Sequence, residues 1–176
     1  METTEKIVDT YCRHVKGLFT IANIRCKGQY EIDLLAVDPN ARGKHRRFHI
    51  ESGVSISGGF SKLTAKPYSP EMLKTRLQTA GQRRTMGYFI QRKFGAKEIQ
   101  AKLKEYGFRK GNYTKVIVTW GFDDAAKKVA DRAGIEIWDF REILEEIAKL
   151  TSHDKTHFTD DTLRTLQLFM KIHPFE

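Results

Sequence analysis

The chain has 176 residues, 40% of them hydrophobic, so it is long enough to bury one sizeable core and too short for two. Lysine and arginine total 31 against 22 acids, giving a formal charge of +9 and a pI near 9.6, which favours polyanionic partners such as nucleic acid. No apolar run approaches the roughly 20 residues of a membrane span, and the polar start METTEKIVD is unlike a signal peptide, so we expect a cytoplasmic protein without membrane association.

The first elements predicted along the chain are a helix and a strand. An apolar stripe with helical spacing runs from Thr3 to about Lys16, and Gly17 ends it. The sequence FTIANIR at residues 19–25 predicts a strand, and Lys27-Gly28-Gln29 is a turn.

Residues 30–57 predict an antiparallel hairpin, with YEIDLLAVD and RFHIESGVSIS as strands around the loop PNARGKHR. Alternation puts Asp33 on the face opposite Leu34, and Glu51 on the face opposite Ile50. If the apolar rows face one core layer, the two acids meet across the ladder. Neighbouring half-buried carboxylates need compensation, either from a hard divalent cation or from arginines such as Arg46 or Arg47.

A turn-rich loop at residues 58–70 follows, and it carries Lys62 and Lys66. Residues 71–110 then predict helices interrupted at glycines, with eleven lysines or arginines against three acids. A solvated helical face would mix signs, so we interpret this segment as a phosphate-contacting surface. Its candidate nucleic-acid-binding residues are Lys74, Arg76, Arg83, Arg84, Arg92 and Lys93.

The remaining chain predicts strand, helix, strand and helix between residues 113 and 150, with the last two strands parallel. Asp123-Asp124 caps the first of these helices and Gly134 stops it. Residues 151–176 comprise a polar linker and an amphipathic helix starting at Asp160-Asp161. The sequence leaves open whether this helix packs on its own domain or on a second copy, as in a homodimer.

The acidic residue in EIDLLAVD, followed by HIES on the next strand, resembles the PD-(D/E)xK nuclease superfamily. Archaeal Holliday-junction resolvases and Mrr-type restriction nucleases are the most similar branches. The resemblance covers about residues 3–150 as a fold pattern. It departs from the family at one point, because Gly53 stands where the motif lysine belongs.

The resemblance implies an α/β fold of the restriction-endonuclease type, a mixed sheet flanked by helices (αβββ-α-βαβα), with residues 71–110 as a basic helical insert. It implies a Mg²⁺ or Mn²⁺ site at Asp33, Glu51 and the main-chain carbonyl of Ser52, and Glu5 on the first helix matches a further acidic ligand. Glu5 could equally be an exposed acid that complements the helix N-terminus.

The expected function is metal-dependent cleavage of DNA, and RNA would satisfy the same charge pattern. Three alternatives follow from the missing lysine. Lys62 or Lys66 supplies the ammonium, the site works slowly by metal alone, or the chain is a catalytically degenerate scaffold that acts as a nucleic-acid-binding or interaction subunit.

Overall fold

A mixed five-stranded β-sheet forms the centre of the computed structural model, which describes residues 2–54, 62–68, 83–153 and 158–172. The strands lie in the order β1-β2-β3-β4-β5. The first three are antiparallel neighbours, while β3, β4 and β5 run parallel. Their bounds are Phe19–Arg25, Glu31–Val37, Arg47–Ser52, Thr114–Thr119 and Ile135–Asp139.

Six α-helices flank the sheet within the described ranges, and one of them continues as a π-helix. They are α1 (Thr3–His14), α2 (Met86–Tyr88), α3 (Lys97–Glu105), α4 (Asp124–Ala133), α5 (Phe140–His153) and α6 (Asp161–Ile172), and the π-helix Phe89–Phe94 follows α2 directly. The predicted α/β class, a mixed sheet flanked by helices with a C-terminal helix, is confirmed.

The helices bury apolar side chains on both faces of the sheet. Val116 and Val118 of β4 lie in a core shared with α1, α5 and α6. Ile117, which points the other way, packs with the π-helix and α4. The connection from β3 to parallel β4 therefore includes helices whose aromatic residues Phe89 and Phe94 are buried against the sheet.

Local sequence signals explain several helix ends. The side chain of Asp123 accepts a hydrogen bond from the Ala126 N–H and so caps α4, and Gly134 ends that helix in the left-handed conformation with φ 62°. Helix α5 extends beyond its predicted end at residue 150 and ends at His153.

The C-terminal helix α6 packs on its own domain. Leu163 is fully buried, and Leu166 packs against the core that contains residues of α1 and α5. Leu168 and Phe169, on its other side, are 62% and 61% exposed. None of the helices in the described ranges combines the length and apolar character needed to cross a bilayer.

Candidate active site

Asp33 and Glu51 meet on the face of the sheet that carries the π-helix. Leu34 of β2 pairs with Ile50 of β3, so Asp33 and Glu51 occupy the adjacent positions of the two antiparallel strands. Both are buried, with 7% and 0% of their surface exposed. The Ser52 N–H donates to Asp33 Oδ2 at 2.8 Å, which fixes one oxygen of that carboxylate and leaves Oδ1 free to face the helices.

Lys93 forms an ion pair with each of the two acids. Its Nζ lies 2.8 Å from Asp33 Oδ1 and 2.5 Å from Glu51 Oε2, and its side chain is only 18% exposed. This lysine was predicted to contact nucleic acid, whereas the structure places it between the two acids. Sequence reasoning missed this position because Lys93 and Asp33 are 60 residues apart, with nothing local to join them.

The residues expected to compensate the acids lie elsewhere. Lys62 and Lys66 are exposed, and neither pairs with Asp33 or Glu51 in the part of the chain that the structure describes. Arg47 starts β3 and pairs with Val37, four residues along β3 from Glu51, while Arg46 precedes the strand. The predicted alternative, in which Arg46 or Arg47 neutralises Asp33 and Glu51, is therefore wrong for the described contacts. The positive charge beside the two acids comes from Lys93.

The π-helix explains how Lys93 reaches the strands. Its hydrogen bonds join residues five apart, so Phe89 and Phe94 both point into the core, where a regular α-helix would rotate one away. Lys93 precedes Phe94 on this inward side. The neighbouring Arg92 guanidinium lies over the Tyr30 ring, 3.7 Å from its centroid, and donates to the Tyr30 hydroxyl, which anchors the π-helix at the start of β2.

Gly53, at the position of the motif lysine, faces the same helix. A Cβ built there would lie 3.0 Å from the Phe89 ring and 3.4 Å from the Val118 carbonyl oxygen. The Gly53 N–H donates to that carbonyl at 2.7 Å. Phe89, four residues before Lys93, therefore packs against Gly53, and any side chain at position 53 would require this ring to shift by a few tenths of an ångström.

His49 contacts the oxygen of Glu51 that does not face Lys93. Its Nε2 lies 2.6 Å from Glu51 Oε1, and neither side chain is exposed. The sequence analysis gave His49 no role. The signal was present, since alternation puts residues 49 and 51 of a strand on the same face.

Burial dominates the electrostatics of the site. Burial, with the Glu51 charge beside it, raises the pKa of Asp33 to about 7, and burial also raises the pKa of Glu51. Burial alone would lower the pKa of Lys93, but the two carboxylates outweigh it, so the pKa of this ammonium is raised. Burial lowers the pKa of His49 to about 3, which keeps the imidazole neutral near pH 7. The two buried carboxyl groups thus share one ammonium, and burial holds the pKa of each above its usual range.

A cleft of about 270 Å³ opens beside Asp33 and Lys93. Glu5 lines it from α1, and its Oε2 accepts from the Glu2 N–H at 3.0 Å. Burial and the nearby Asp33 charge raise the pKa of Glu5. Within the described ranges, no group of three or more histidine, cysteine, aspartate or glutamate side chains is arranged to hold a metal ion.

The predicted nucleic-acid-binding residues divide into three sets. Arg83 and Arg84 line the cleft, Arg83 exposed and Arg84 buried. Arg92 and Lys93 are engaged by Tyr30 and by the two acids. Lys74 and Arg76 lie outside the described residues.

Comparison with known proteins assigns no family. No protein-family model matches the chain, and no curated protein matches it significantly. Among solved structures, the chain is similar to the crystal structure of AF1548, described as a protein of unknown function. The two share 17% identity and a TM-score of 0.49, over 93% of this chain and 78% of that one.

Proposed function

We propose that the chain is a metal-dependent nuclease that hydrolyses DNA phosphodiester bonds, with Asp33 and Glu51 as metal ligands and Lys93 in the role of the missing motif lysine. The observation that carries this proposal is the Lys93 ammonium held between two buried carboxylates at 2.8 and 2.5 Å. It supports an active site over a degenerate scaffold because an ammonium stands beside the two acids although position 53 is glycine.

The donor set fits a hard divalent cation. Asp33 Oδ1 and Glu51 Oε2 converge on one positive charge, and the oxygens are of the kind that Mg²⁺ and Mn²⁺ prefer. Mg²⁺ takes only one or two protein carboxylates and keeps several waters, so a third acidic ligand is not required. The main-chain carbonyl of Ser52, next to Glu51, is the further ligand that the resemblance implies. Such an ion supplies a nucleophilic water and stabilises charge on the phosphoryl group.

The chain's own residues would perform the remaining tasks. Lys93, as an ammonium, can orient the attacking water or bind a phosphoryl oxygen as charge develops there. Exposed Arg83 at the cleft can hold a flanking phosphate. Glu5 faces the same cleft without contacting Asp33 in the described structure, and it is the candidate for an additional ligand through water.

The proposed substrate is DNA, and the proposed location is the cytoplasm. Net charge +9 supports a polyanionic partner. Cys12 and Cys26 are both free thiols, which suits a reducing compartment.

Cleavage assays with matched lysine variants test the proposal. Linear duplex, flap, four-way junction and single-stranded DNA, with an RNA control, are incubated with protein and Mg²⁺ or Mn²⁺, and with EDTA as the blank. We expect cleavage of at least one DNA form by the natural protein. Asp33→Asn, Glu51→Gln and Lys93→Met should lower the rate at least about 100-fold, the effect of losing one preorganised charge-stabilising group.

Lys66→Met is the matched control, since it removes an exposed lysine that does not pair with the acids in the described structure, and it should keep near-natural activity. Full activity in Lys93→Met would remove Lys93 from the mechanism. Absence of cleavage of every substrate, with DNA binding intact, would leave the binding module as the function.

A further inference from the structure

His49 and Glu51 form a pair of fully buried polar side chains next to the proposed metal site. They lie two residues apart on one face of β3, with His49 Nε2 2.6 Å from Glu51 Oε1 and neither residue exposed. The two oxygens of Glu51 therefore have different partners, because Oε2 contacts the Lys93 ammonium at 2.5 Å.

The imidazole of His49 is held in one orientation by aromatic rings. Phe94 packs edge-on against it with centroids 4.9 Å apart, and Tyr113 lies 6.2 Å away on a tilted plane. Phe94 directly follows Lys93 in the π-helix, so the same short helix positions the ammonium on one oxygen of Glu51 and the imidazole on the other.

The hydrogen-bond partners define which ring nitrogen carries the proton. In the ionised form in which Glu51 would bind a cation, its carboxylate can only accept, so His49 Nε2 is then the N–H donor to Glu51 Oε1. His49 Nδ1 is buried without a hydrogen-bond partner in the described structure, so nothing there favours a proton on Nδ1.

We propose that His49 is a positioning residue, whose single N–H occupies Glu51 Oε1 and thereby turns Glu51 Oε2 towards the cation position. Without that donor, Oε1 would be a buried oxygen with no partner, and the carboxylate would rotate to offer both oxygens to Lys93. The ammonium would then compete more strongly with a metal ion for Glu51. The part of this inference that concerns metal rests on the proposed function.

Metal affinity, measured without substrate, tests the role of the N–H donor. Mn²⁺ binding is followed by calorimetry for the natural protein, His49→Gln, His49→Phe and the control His45→Phe. The glutamine amide can place an N–H where Nε2 was, so we expect affinity within a few-fold of natural. His49→Phe keeps a ring but loses the donor, and we expect binding 10- to 100-fold weaker. His45 is exposed in the β2–β3 loop, and its replacement should change nothing.

A second measurement in EDTA uses the unfolding midpoints of natural protein, His49→Phe, Lys93→Met and the double variant. Because both residues act on one carboxylate, we expect the shift in the double variant to differ from the sum of the single shifts. His49→Met replaces His49→Phe if the phenylalanine variant does not fold.

The outcomes separate this inference from the proposed function. Where the natural protein binds Mn²⁺, equal affinities for His49→Phe and natural protein, or equal losses in His49→Phe and His49→Gln, overturn the positioning role. Where the natural protein binds no Mn²⁺, the proposed function fails, and the EDTA measurement decides: non-additive shifts support His49 as the residue that orients Glu51, and additive shifts overturn it.

Discussion

Lys93 belongs to the site of Asp33 and Glu51 although it lies far from both of them in the sequence. Asp33 and Glu51 could be paired from the sequence because alternation and hairpin pairing are local rules. No local rule selects one of eleven basic residues in the following segment as the partner of those acids. The selection depends on the π-helix geometry and on Phe89 filling the space beside Gly53, which are both tertiary features.

The buried ion pairs predict a stability effect that is independent of catalysis. Lys93→Met leaves two buried carboxylates without their cation, and in EDTA we expect the free energy of unfolding to fall by about 3–5 kcal/mol. The matched variant Lys97→Met, at an exposed position that starts α3, should change it little. Urea unfolding measures both.

Adding Mn²⁺ should recover part of the loss in Lys93→Met, because an ion that binds only the folded state stabilises it. Equal stability of Lys93→Met and natural protein in EDTA would show that the acids are neutralised in some other way.

At the scale of elements, helix α2 approaches the chain at residues 62–68 so closely that only glycine fits at position 87. A Cβ on Gly87 would lie 2.2 Å from the Tyr68 backbone nitrogen and 2.6 Å from the Pro67 carbonyl carbon. The Gly87 N–H donates to the Lys66 carbonyl at 3.1 Å. This contact ties residues 62–68 to the helix beside the cleft.

The sign of the effect of Gly87→Ala separates two physical causes. Helix propensity alone predicts that alanine stabilises by about 1 kcal/mol. The backbone contact predicts the reverse, since neither chain can yield by a rotamer change, and we expect a lower unfolding midpoint in urea. Ala101→Gly, on the exposed side of α3, measures the propensity term by itself. A stabilised Gly87→Ala protein would show that residues 62–68 are not packed as described.

The packing of α6 on α1 depends on Asp160, which caps α6 and also pairs with Arg13 of α1. Its Oδ1 accepts from the Thr162 and Leu163 N–H groups at 2.9 and 3.1 Å, and its Oδ2 accepts from Arg13 of α1 at 3.0 Å. We expect Asp160→Ala to cost about 1–2 kcal/mol by loss of the cap. Asp160→Asn should cost less, because asparagine also caps.

The pH dependence of that difference follows from the pKa of Asp160. Burial alone would raise this pKa, but the two N–H groups and Arg13 outweigh it and lower the pKa. A depressed carboxyl pKa gives stability that is present above the unfolded value of about 3.9 and is lost as the pH falls through the folded pKa. Urea unfolding at about pH 6 and pH 3 should show the gap between natural protein and Asp160→Asn shrinking at the lower pH; a gap that widens there would contradict this assignment.

Element positions were largely predictable, and the exceptions have physical causes. Residues 19–25 and the capped helix before Gly134 follow from alternation and capping, which depend on short windows of sequence. Helix α5 runs past residue 150 because Thr151 is buried and its hydroxyl donates to the Ala148 carbonyl. From the sequence, the polar side chain of Thr151 had indicated the start of a linker. The packing of α6 on α1 depends on contacts between residues far apart in the sequence, such as Asp160 with Arg13 and Leu163 with the core. The sequence therefore left this packing open.

At the scale of the whole molecule, the excess positive charge predicts salt-sensitive binding of DNA. If the cleft arginines contact phosphates, log Kd should vary linearly with log salt, with about 0.9 per phosphate contact on duplex DNA. Arg83→Glu should lower that slope by about one contact and weaken binding to all sequences alike. Lys128→Glu, an exposed position on α4 outside the cleft lining, is the control of equal charge change. Fluorescence anisotropy between about 50 and 200 mM salt measures the slope, and an equal effect of both substitutions would mean that the net charge, and not the cleft, sets the affinity.

The separation of Lys93 from Asp33 by 60 residues has a consequence during protein synthesis. A chain still attached to the ribosome exposes both acidic strands before the helix with the ammonium has left the exit tunnel. On the proposed function, such a chain holds the ligands for a metal but lacks the group that completes the reactive centre. On the same proposal, products ending before residue 93 would lack this ammonium, and cleavage would begin only once the crossover from β3 to β4 has closed onto the sheet.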